Sequence, residues 1–80
     1  MDSVIGVIIM AQESRFRLVD RADRAWHFML APDANVEPQD LPPLFRDGRE
    51  VHVAWSNAPG VTAALAHDVS PQPHEQEAPA

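Results

Sequence analysis

Arg15 and Arg17 stand two residues apart, Arg21 and Arg24 follow closely, and His27 comes next. A guanidinium donates two parallel hydrogen bonds to a phosphate or a carboxylate. On an extended strand, a spacing of two puts Arg15 and Arg17 on the same side. The chemistry on offer is capture of an anion, with Met29 as the sizeable outward apolar group beside the arginines. The candidate ligand-binding residues are therefore Arg15, Arg17, His27 and Met29, with Arg21 and Arg24 at the margin. The competing reading is a solvated face whose Glu13–Arg15 and Asp20–Arg24 ion pairs contribute little each.

Other chemistries find less support. His27, His52, His67 and His74 show no HxH, HxxxH or HExxH spacing, so no metal ligand set is expected. The hydroxyls that could act as nucleophiles, on Ser3, Ser14, Ser56, Thr62 and Ser70, lack any local motif. With only three glycines there is no phosphate cradle. The acids fall in turns and the tail, where ordinary titration is expected. There is no cysteine, which excludes disulfides and thiol chemistry. A non-catalytic protein without a cofactor is the expectation.

All six basic residues are arginine, lysine and tyrosine are missing, and proline is frequent, a bacterial-like composition of the kind a GC-rich coding sequence produces. The net charge of −6 is unevenly spread. Residues 1–31 balance to zero, residues 32–50 carry −3 and residues 51–80 carry −3. Such a balance repels nucleic acid in the far field while permitting a local anion site. The apolar run Val4–Met10 is too short for a signal peptide or a membrane span, so a soluble, cytoplasmic protein is expected.

The elements that must position these residues follow from the periodicity. Residues 3–11 are β-branched and apolar on both sides, 14–20 alternate, and 25–31 alternate with Trp26, Phe28 and Leu30 inward. Inward-to-inward pairing sets Leu18 beside Trp26 and Phe16 beside Phe28, which leaves Arg17 beside His27 and Arg15 beside Met29. Pro32, Pro38, Pro42 and Pro43 exclude a strand from the next stretch. A short helix near 40–47 is predicted instead, with Asp40 as N-cap, Gly48 as its end and Leu41, Leu44 and Phe45 as its apolar side. Residues 49–56 form a strand with Val51, Val53 and Trp55 inward. Residues 61–69 form another, with Val61, Ala63, Leu65, His67 and Val69 inward. The domain spans 1–69, and the Pro-rich acidic remainder, 70–80, reads as a disordered tail.

Five strands with one short helix between the third and fourth resemble the OB-fold, a five-stranded barrel, in element order. An SH3-like barrel is the alternative, without a natural place for the 32–48 connection. The resemblance implies a first strand that bends and serves both halves of the barrel, with Gly6 at the bend. That would explain why it is apolar on both faces. Otherwise Ile5, Val7 and Ile9 form a stripe covered by a second subunit. The expected function is a binding or adaptor module with a protein partner, or a homodimer through an edge strand. The alternative is weak binding of single-stranded nucleic acid or another anionic ligand on the face of strands two and three.

Overall fold

The computed structural model describes residues 2–57, 60 and 63–72. Five strands, β1 (Asp2–Gln12), β2 (Arg15–Asp20), β3 (Ala25–Leu30), β4 (Glu50–Ser56) and β5 (Ala64–Pro71), close into a barrel in the order β1-β2-β3-β5-β4. A 3-10 turn, Pro38–Asp40, leads into the helix α1 (Leu41–Asp47) between β3 and β4. This is a mainly β, closed five-stranded barrel, consistent with an OB-like fold. Among the described residues no helix is long and apolar enough to cross a membrane.

β1 pairs with β4 over Asp2–Val7 and with β2 over Gly6–Gln12, so it belongs to both halves of the barrel. The changeover falls at Gly6 and Val7. A Cβ on Gly6 would overlap the Val19 carbonyl oxygen and lie 2.6 Å from Leu18 Cδ2, so the absent side chain is what lets β1 lie this close to β2. Ile5 and Val7 are half-buried rather than an open stripe, while Ile9 remains exposed.

Two bulges interrupt the alternation. In β1 the register against β2 slips between Ile8 and Met10, leaving Ile9 as the extra residue. Ile8 points into the core, whereas both Ile9 and Met10 are exposed. In β5 the register against β4 passes from Asp68 to Ala66, leaving His67 as the extra residue. Side-chain parity therefore reverses along β5: Ala66 and Val69 are buried, and Leu65 and His67 are not the inward residues that strict alternation predicts. The strand also runs on to Pro71, and Gln72 N donates to Glu50 O at 2.8 Å. Residues 61 and 62, which alternation assigns to this strand, and the tail from 73 to 80 lie outside the described residues.

The core consists of Ile8, Phe16, Leu18, Phe28, Leu41, Val51, Val53, Ala66 and Val69. Phe28 holds it together, with ring centroids 5.2 Å from Phe16, 5.9 Å from Trp26 and 6.4 Å from Trp55. The helix contributes Leu41, which is fully buried. Leu44 packs beside it, but Phe45 stays 43% exposed, so α1 buries a narrower side than its spacing predicts. Asp40 occupies the N-cap position without making a side-chain cap bond. The reason is chemical: Pro42 and Pro43 fill the positions whose N–H groups such a cap would accept. The Asp40 carboxylate instead accepts from Glu37 N at 2.9 Å. Gly48 ends the helix at φ 68°, its N–H reaching the Leu44 and Phe45 carbonyls at 3.3 Å.

A candidate docking cleft on strands two and three

The hairpin register is the one the sequence predicts: Arg17 lies opposite His27 and Arg15 opposite Met29. On its other side β2 meets β1, which adds Met10 opposite Arg17 and Gln12 opposite Arg15. Two rungs thus cross three strands, Met10–Arg17–His27 and Gln12–Arg15–Met29. Met10 joins only because of the Ile9 bulge; without it, alternation from Ile8 would turn Met10 inward. With Phe16 and Phe28 beneath and Gly60 and Ala63 from the β4–β5 connection at one side, these residues line a cleft of about 530 Å³. All four sequence-predicted residues, Arg15, Arg17, His27 and Met29, line it.

No carboxylate among the described residues compensates the guanidiniums of the cleft. Among the described residues neither Arg15 nor Arg17 forms an ion pair, and Arg17 Nε is buried with no hydrogen-bond partner. The expected Glu13–Arg15 pair is not formed; Glu13 sits in the β1–β2 turn at φ 55°. The remaining arginines of the hairpin are engaged elsewhere. Arg21 grips Glu50 with both ends of its fork, at 3.0 and 2.8 Å, and ties the β2–β3 turn to β4. Arg24 lies 3.4 Å from Asp20, as the sequence predicts, and 5.9 Å from the Trp26 ring.

Three carboxylates depart from the ordinary titration expected of them. Asp20 accepts from Trp26 Nε1 at 2.9 Å and from the Ala22 and Arg24 amides at 2.8 and 2.9 Å, which lowers its pKa from the ordinary 3.8. Asp33 is lowered by its hydrogen bond to His67, and Glu50 by its bonds to Arg21. A carboxyl whose folded pKa is depressed stabilises the fold fully above its unfolded value and ceases to do so as pH falls through the folded value. The urea midpoint is therefore expected to hold down to about pH 5 and to decline below that as these carboxylates take up protons. Asp20→Asn should flatten part of that decline; an unchanged slope would show that Asp20 contributes nothing to it.

The histidines separate. His27 is exposed in the cleft and His52 is half-buried on β4. His67, at the β5 bulge, bonds Ser56 Oγ through Nε2 at 2.7 Å and Asp33 Oδ1 through Nδ1 at 2.8 Å. Sequence reading missed this trio because its members come from the β3–α1 connection, the end of β4 and the β5 bulge. Among the described residues no three His, Cys, Asp or Glu side chains gather as a metal site. Compared with known proteins, the chain matches no family model, no curated protein and no solved structure.

Proposed function

We propose that the chain is a binding module that docks an acidic, partly apolar segment of a protein partner on the cleft of β2 and β3. The observation that carries this reading is the pair Arg15 and Arg17, free of carboxylate partners among the described residues and flanked by Met10 and Met29. Carboxylates of the partner would meet the guanidiniums, and an apolar side chain would fit against the methionines, whose flexible thioethers adapt to varied shapes. This is also the face that barrels of OB-like order use for ligands.

Single-stranded nucleic acid is the second reading, supported by the same two guanidiniums. It is weaker for two reasons. Base stacking needs outward aromatic rings, and here Phe16, Phe28, Trp26 and Trp55 pack on one another. A charge at every nucleotide also meets the net −6 of the chain, whereas a short peptide presents only one or two carboxylates.

Titration of the full chain with an acidic-apolar peptide and with an oligothymidylate, followed by two-dimensional NMR, separates the readings. Peptide binding should shift Arg15, Arg17, His27 and Met29, and the double change Arg15→Ala/Arg17→Ala should weaken it about tenfold. Binding of the oligonucleotide alone, with a steep fall in salt, would replace the peptide by a nucleic acid. If neither probe moves the cleft, the proposal fails.

A further inference from the structure

We propose that Ser56 is a nucleophile primed by His67 and Asp33, able to take the acyl group of a small activated ester. The three side chains stand in the order this chemistry needs. An ionised carboxylate can only accept, so at 2.8 Å Asp33 Oδ1 places the imidazole proton on Nδ1. The lone pair of Nε2 then faces the Ser56 hydroxyl, which donates to it at 2.7 Å. Nucleophile, base and orienting carboxylate are each within hydrogen-bond reach of the next. Hydrogen bonding to His67 also favours the ionised form of Asp33.

The backbone fixes this arrangement. The connection that carries Asp33 is bonded to β5 on both sides of the histidine: Ala31 N donates to Ala66 O at 2.9 Å, Asn35 N to His67 O at 3.2 Å, and Val69 N to Asn35 Oδ1 at 2.8 Å. The bulge that makes His67 the extra residue of β5 is what leaves its ring beside Ser56 rather than in the core. The His67 side chain is 19% exposed and Asp33 75% exposed, so the imidazole is sheltered while solvent reaches the trio from the carboxylate side.

The reaction balances without a cofactor. Ser56 Oγ attacks the ester carbonyl carbon as its proton passes to His67 Nε2. The bond to the leaving alcohol breaks, and the alcohol departs with that proton. Water, deprotonated by the same nitrogen, then releases the acid and restores the hydroxyl, so ester and water give acid and alcohol. This activity is independent of the docking cleft and goes beyond it.

The test is acetylation of the full chain by p-nitrophenyl acetate, read by nitrophenolate release and by peptide mapping of the acetyl group. Ser3 and Ser14 are internal references in the same molecule. Acetyl is expected on Ser56 on the order of 10²-fold faster than on either reference, the range that a positioned general base supplies. Asp33→Asn, a change at an exposed side chain, should lower the Ser56 rate at least about tenfold with the circular dichroism spectrum unchanged. Ser56→Ala should abolish the fast phase. Equal labelling of Ser56 and the reference serines, or an unaltered rate in Asp33→Asn, would reduce the trio to a structural tie and overturn the proposal.

Discussion

Alanine at Gly6 is expected to destabilise the barrel by about 3 kcal/mol, the upper end of ordinary overpacking, because the obstacle is backbone as well as side chain. The added Cβ meets the Val19 carbonyl group, whose carbon would lie 2.8 Å away, and Leu18 Cδ2 at 2.6 Å. Leu18 is itself fully buried and has nowhere to retreat. Relief requires β1 to move away from β2 at the point where it is still paired with β4. Both halves of the barrel would therefore loosen together. In a domain of this size total stability is on the order of 4–12 kcal/mol, so much of the population would unfold on mild heating. Urea denaturation checks this; an unchanged midpoint would show that β1 can bend there with a side chain present.

Leu41→Ala is the second large effect, about 3 kcal/mol. Leu41 is the only fully buried side chain of α1, and it fills the barrel interior alongside Ile8, Val51 and Val53. A seven-residue helix has no stability of its own, so what holds α1 in place is this burial. Removing the isobutyl group leaves a cavity that a closed barrel cannot collapse to fill. Phe45→Ala, at a position 43% exposed on the same helix, is the comparison and should cost less than about 1 kcal/mol. Equal losses in the two variants would mean that α1 does not plug the barrel through Leu41.

What the sequence made legible was the part governed by local period and chemistry. The β-branched run around Gly6, the alternation from Arg15 to Val19, the four prolines and Gly48 each act within a few residues of themselves, and so they mark the elements directly. The register of Arg17 with His27 followed from burying Leu18 and Trp26 together. The bulges were not legible. Nothing about Ile9 or His67 distinguishes it from its neighbours, because a bulge arises where a strand must meet partners of different curvature. Each bulge reverses parity and so changes which side chain reaches the surface. Met10 and the outward turn of His67 were missed for that reason, while Asp40 takes the predicted N-cap position but two prolines remove the donors its side chain would have capped.

Among the described residues the pairing of β3 with β5 is the only parallel one, and it joins three residues of each strand, Phe28 to Leu30 with Ala64 to Ala66. Parallel ladders are slightly weaker per residue than antiparallel ones. Over the described residues this seam is also the shortest ladder of the cylinder. Leu65 lies there, opposite Met29 on one side and Ser56 on the other, so a single residue separates the arginine rungs from the serine. Breathing at that joint would widen both neighbourhoods at once and leave the antiparallel remainder shut.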